Sequence, residues 1–234
     1  MARTDSPEGL GGQLRRVDPD RWLTSRFVAD REARSDLAAL YLYDHELGRA
    51  RRAASTPLLA EIRLAWWREV LDAIFAQGAV RRHPTALAVA AAVRRRGLLR
   101  APLEAMIDGH VAALEVERLA EDAALAWADA VQGSVARLAA AILDPAAADE
   151  AVTAAGRAFG LALLVRTGRI ERPAATPALN AALAETRRAA RLLSPRAFPA
   201  VLPARLARFE AAGRAPGPLR KRLALIAAVA TGRV

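Results

Sequence analysis

The sequence predicts an all-α fold. Alanine, leucine and arginine dominate it, β-branched and aromatic residues are sparse, and unbranched side chains lose little rotamer freedom in a helix. No segment shows the strict apolar-polar alternation of a half-buried strand, and proline and glycine cut the chain into pieces of helical length. With 234 residues, 53% of them hydrophobic, it is long enough for one full-sized core.

Residues 1–20 contain Gly, Pro, Asp and Arg without an apolar run, and read as a flexible N-terminal tail and not a signal peptide. Residues 21–234 read as a single all-α domain. Asp30 or Ser35 starts the first long helix, which runs to about Ala54. Thr56 then caps a second helix, with Pro57 at its first position, running to about Gln77. His83-Pro84 opens a third, closed by Arg94-Arg95-Arg96-Gly97, where cations complement the helix C-terminus and glycine stops it. Further helices are expected over Pro102 to Leu119, Asp122 to Leu143 and Ala147 to Val165. The stretch from Arg172 to Pro177 is the best place for a long loop, followed by shorter helices over Ala178 to Leu193, Ala197 to Ala212 and Pro218 to Val229.

The net charge of +10 points to an anionic partner: membrane lipid, diphosphate or nucleic acid. Lys221 is the sole lysine, so the basic excess is almost wholly arginine, a pattern that coding bias and phosphate recognition both produce. No nucleic-acid motif is present, and arginines without interleaved aromatics argue against that partner. No Walker loop, dinucleotide fingerprint or nucleophile elbow occurs. Without cysteine there are no disulfides, thiolate nucleophiles or zinc-thiolate sites, which fits a cytoplasmic location. The longest apolar runs fall far short of the ~20 residues that cross a bilayer.

Spacings of three and four place Tyr41, His45, Gly48 and Arg52 on one stripe of the first long helix. Arg49, Arg52 and the adjacent Arg51 suit a metal-free grip on phosphate through their forked donors, or simply a solvated basic helix end. On the next helix, Leu59, Ile62, Trp66 and Val70 form one apolar stripe and Leu64, Trp67, Leu71 and Ile74 another, so the helix is expected to be buried on much of its circumference. The tryptophans then read as packing residues. Glu104 with Asp108 and Glu117 with Glu121 have i, i+4 spacing, but each pair lacks a third ligand for a metal. His45, His83 and His110 show no metal-binding arrangement.

Two segments carry a family resemblance. Leu37 to Arg52, with Ala39-Leu40-Tyr41 and Glu46-Leu47-Gly48, resembles the helix of squalene and phytoene synthases in which an aromatic turn leads into an aspartate-rich motif holding Mg²⁺ against a prenyl diphosphate. Arg63-Leu64-Ala65-Trp66-Trp67-Arg68 resembles that family's R-x-x-W-W-R signature. Weaker matches follow at Ile107-Asp108-Gly109, at Gly133-Ser134-Val135 and at Gly156 to Arg166. The resemblance implies an isoprenoid-synthase-like helical bundle around a central cavity. It also places Gly48, Arg49 and Arg52 where the first set of aspartates belongs, and leaves only Arg166 of the second set, before Thr167-Gly168-Arg169.

From the resemblance follow Tyr41, His45, Arg49, Arg52 and Arg166 as candidate ligand- or diphosphate-binding residues, and Arg63, Trp66, Trp67 and Arg68 as a structural signature. No metal site and no catalytic residue are assigned. The loss of acids resembles a non-catalytic branch of the family that includes a mitochondrial complex I assembly factor. That likeness implies a degenerate, non-catalytic binding or assembly factor near a membrane, related to respiratory complex I. Its partners would be an isoprenoid or anionic lipid, membrane-complex subunits, or the anionic face of a membrane to which it binds peripherally. The alternative is a divergent prenyl-diphosphate transferase using arginines in place of Mg-binding aspartates; no cofactor is expected, Mg²⁺ entering only with that reading. The segment Arg220-Lys221-Arg222 followed by Leu223 to Val229 fits either a last helix packed on the bundle or one lying on an anionic bilayer.

Overall fold

The computed structural model describes residues 7–147 and 149–234, and among them there are helices and connecting turns but no strand. The chain forms two compact units, one ending at Glu115 and one spanning Val116–Val234, a division that the single-domain expectation does not make.

In the first unit, α1 (Pro7–Val17), α2 (Pro19–Ser25), α4 (Pro57–Phe75), α5 (Pro84–Arg96) and α6 (Arg100–Ala112) surround α3 (Arg31–Arg52). Residues 36–44 of α3 are buried without interruption, so the middle of this helix is enclosed on every side. Its ends are set by local chemistry: Asp30 accepts the Glu32 amide at 2.9 Å, and the next helix starts where Thr56 accepts the Leu59 amide with Pro57 in the first turn. His83 Nδ1 caps α5 by accepting from the Ala86 amide, and Gly97, at φ 63°, closes it in the left-handed conformation that glycine adopts without steric cost.

Residues 7–17 are helical where a flexible tail is expected. Leu10 and Leu14 lie one turn apart, Leu14 is fully buried, and α1 packs against α3. Asp18 then caps α2, accepting from the Arg21 amide, with Pro19 in the first turn. Charge and proline in this segment are therefore cap chemistry. Residues 1–6 lie outside the described residues. Helix α6 stops at Ala112, and residues 113–120 continue as turns, so Glu117 and Glu121 never share a helical face.

In the second unit α9 (Asp149–Arg166) is central, contacted by α7 (Glu121–Trp127), a π-helical turn over Ala128–Gly133, α8 (Ser134–Leu143), α10 (Arg172–Ala189) and α11 (Leu202–Ala211). The expected Asp122 to Leu143 helix is thus one helical run with a widened turn inside it. The expected loop at Arg172 to Pro177 is the start of α10 instead. Pro173 sits in the first turn, where its missing N–H has no helical partner to lose, and the buried stripe Ala175, Leu179, Ala182, Leu183 and Thr186 holds the helix through Pro177. The last helix, α12 (Pro218–Thr231), packs on α11.

Candidate functional site

The stripe on α3 divides by depth. Tyr41 is buried, its ring 5.0 Å below the Arg21 guanidinium, and burial pushes its phenol well above the usual range. His45 is half-buried one turn on. Arg52 folds back along the helix, donating from Nη2 to the His45 carbonyl at 3.4 Å and crossing Gly48 so closely that a Cβ there would lie 2.8 Å from Nη1. Burial, followed by the Arg52 charge, lowers the His45 imidazole below its ordinary value, and burial also lowers the Arg52 guanidinium somewhat. Of the other two arginines, Arg49 is exposed and pairs with Glu46 at 3.1 Å, while Arg51 donates from Nε to the Leu114 carbonyl. His45, Gly48 and Arg52 therefore form one cluster at the α3 C-terminus, and Arg49 and Arg51 point elsewhere.

The acids of α3 are committed. Glu32 lies 3.2 Å from Arg95 and 3.3 Å from Arg96; Asp36, buried, lies 2.5 and 2.7 Å from the same two arginines. Asp44, also buried, meets Arg21 Nη2 at 2.5 Å, and Glu46 has Arg49. All four carboxylates of the helix are in ion pairs with arginine. Mg²⁺ requires several hard oxygen ligands in near-octahedral geometry. The donor set on α3 does not fit it, and among the described residues no group of three or more His, Asp or Glu is placed to hold a metal.

In the second unit Arg166 ends α9, exposed, its guanidinium carbon 6.0 Å from the Phe159 ring centre. The Thr167-Gly168-Arg169 run that follows is a helix stop. Gly168 takes φ 69°, the Arg169 amide donates to the Leu164 carbonyl at 2.8 Å, and Arg169 Nη2 reaches the Val116 carbonyl. Glu104 and Asp108, considered as a metal pair, instead accept from Arg100 and Arg68.

The two tryptophans differ. Trp67 is buried and meets Tyr43 edge-on at 5.1 Å; Trp66, its ring 4.9 Å from that of Trp67, is only half-buried, and both lie 5.4 Å from His83. Arg63 donates to the Ala50 carbonyl near the end of α3, and Arg68 to Asp108 on α6. The stripe Leu64, Trp67, Leu71 and Ile74 is buried as expected, whereas Leu59 and Ile62 are exposed together with Leu58, so only one side of the N-terminal half of α4 is covered. Trp67→Ala is accordingly expected to cost about 3–5 kcal/mol in denaturant unfolding, and Trp66→Ala clearly less. Equal losses would contradict the difference in burial.

Sequence reasoning missed the two clusters built on buried α3 carboxylates, Arg21 with Asp44 and Asp36 with the more exposed Arg95 and Arg96. The signal lay in Asp36 and Asp44 bracketing an otherwise apolar run, since a charge on a fully enclosed helix face requires a partner.

A family model described as squalene/phytoene synthase matches residues 14–169. Among solved structures, the squalene synthase HpnC from Alicyclobacillus acidocaldarius superposes with a TM-score of 0.67 over 97% of this chain and 94% of that one, at 16% sequence identity, a likeness that establishes the all-α isoprenoid-synthase fold. No curated protein matches the chain.

Proposed function

Because this chain belongs to the squalene/phytoene synthase family, we propose that it is a non-catalytic member, a binding or assembly factor that keeps the scaffold and has lost metal-assisted ionisation of a prenyl diphosphate. The observation that carries this reading is the pairing of every α3 carboxylate with arginine. Departure of diphosphate from an allylic carbon builds negative charge on the leaving oxygens, and neutralising it is the largest contribution a metal makes. By the family resemblance, the α3 positions that take the first set of aspartates carry Gly48, Arg49 and Arg52, and the segment after Arg166 is occupied with ending α9. An isoprenoid or anionic lipid is the ligand class that fits such a scaffold, and subunits of a membrane complex, respiratory complex I by the family likeness, are its partners.

A second reading draws on the cluster at His45, Gly48 and Arg52, where a guanidinium across a glycine leaves donors available to a phosphate. It makes the protein a metal-independent prenyl transferase. Farnesyl or geranylgeranyl diphosphate, with and without Mg²⁺, separates the two. The binding-factor reading expects no diphosphate release above background and no specific Mg²⁺ site by titration calorimetry. Release that falls at least tenfold in Arg52→Ala would establish the transferase and overturn the first reading.

A further inference from the structure

Helix α12 presents the wrong side for a helix that only packs. Leu225 and Ala228 are its buried residues, lying on the α11 side, while Leu219, Leu223, Ile226 and Val229 are 69%, 57%, 54% and 41% exposed. At 100° per residue, Leu219, Leu223 and Ile226 fall within one narrow stripe opposite the buried face, and Ala230 extends it. Arg220 and Arg222 flank this stripe on either side at its N-terminal end, and no acidic residue follows Glu210, whereas Arg214, Arg220, Lys221, Arg222 and Arg233 do. Arg220 also lies over the Phe209 ring of α11 at 5.6 Å.

We propose that α12 is an interfacial helix that lays its Leu219-Leu223-Ile226 face into the surface of an anionic lipid bilayer. Apolar area alone is indifferent to the partner; the arginines that flank the stripe select it. A bilayer surface offers both requirements in one plane, with acyl chains for the stripe and phosphates within reach of the flanking guanidiniums, whose aliphatic stems follow the side chain inward while the charge stays at headgroup level. The helix need not cross: no helix among the described residues is long and apolar enough to do so. This inference goes beyond the binding-factor reading and holds equally if the protein is a transferase, because it uses no residue of the α3 cluster.

The full chain contains no cysteine, so Ile226→Cys takes a single environment-sensitive fluorophore, and Leu192→Cys, 77% exposed, serves as the control position. With vesicles containing phosphatidylglycerol the Ile226 label should shift to the blue and brighten, with pure phosphatidylcholine it should change little, and the Leu192 label should report water in both. In co-sedimentation, Leu223→Glu/Ile226→Glu and, separately, Arg222→Glu should weaken binding at least about tenfold, and added salt should weaken the wild type. Each replaced side chain is exposed, so unchanged circular dichroism and melting are expected; should the glutamates disturb the fold, Leu223→Ser/Ile226→Ser tests the same face. Absence of wild-type binding, or equal binding by the variants, would overturn the proposal. So would a concentration-dependent dimer, lost in the same variants, without vesicle binding.

Discussion

Replacing Gly156 by alanine is expected to disrupt the second unit more than any other single-methyl addition to it. A Cβ at this position would stand 2.2 Å from the Gln132 carbonyl oxygen, 2.7 Å from its carbon and 2.8 Å from the Gly133 Cα. These are backbone atoms of the π-helical turn, so no rotamer change can clear them, and α9 must separate from the turn along its length. Overpacking of a core generally costs about 1–3 kcal/mol, and a clash with main chain belongs at or above the upper end. The neighbouring glycines supply a graded control. At Gly160 the added atom would meet Ala128 and Gln132 at 3.0–3.1 Å, a contact that small shifts relieve, and at Gly133 its nearest neighbour would be Thr153 Cγ2 at 3.4 Å, an ordinary contact, so helix propensity favours alanine by about 0.5–1 kcal/mol. Denaturant unfolding should therefore rank the variants Gly156→Ala far below Gly160→Ala, with Gly133→Ala near or above the wild type. Equal midpoints for all three would mean that α9 and the turn do not approach as closely as described.

That approach is partly legible in the sequence, because Gly156 and Gly160 stand one turn apart in a run of small residues, and small residues permit close packing. The wider turn opposite them is not, since nothing in Ala128–Gly133 departs from an ordinary helical composition. A similar division runs through the rest of the molecule. Helix starts written in local chemistry, such as Thr56-Pro57 and His83-Pro84, stand where they were read, because a cap needs only its own neighbours. Elements decided by distant packing do not. The segment at 7–17 looks polar and glycine-rich until α3 covers Leu14, and Pro177 looks like a loop residue until the buried stripe of α10 is in place. In the candidate site, the spacing of His45, Gly48 and Arg52 was enough to put them together, but which of the arginines at 49, 51 and 52 folds back along the helix depends on Glu46 and on the Leu114 carbonyl, which take Arg49 and Arg51 away. The exposure of Leu219, Leu223 and Ile226 was equally unreadable, since an apolar stripe has the same sequence whether protein or lipid covers it.

Arg21→Met is the second substitution expected to have a large effect, and it tests what fixes α3. Arg21 is buried, with Nε 2.5 Å from Asp18 and Nη2 2.5 Å from Asp44, and its guanidinium lies over Tyr41. Burial opposes its charge, but the attraction of Asp18 and Asp44 and their hydrogen bonds outweigh that and hold the guanidinium more firmly protonated than in water. Methionine keeps much of the volume and removes the cation, so that Asp44, enclosed on α3 with His110 Nε2 at 3.8 Å, loses the guanidinium it meets at 2.5 Å. Removing one member of a buried ion pair costs about 3–5 kcal/mol. For a chain of this size that corresponds to a fall of about 10 °C in Tm. The double variant Arg21→Met/Asp44→Asn should then recover part of the loss, because the buried carboxylate charge is removed together with its guanidinium, and the coupling between the two sites should reach about 1–3 kcal/mol. Additive effects in the double variant would show that Arg21 acts through its packing on Tyr41 alone and that the ion pair does not anchor the helix carrying His45 and Arg52.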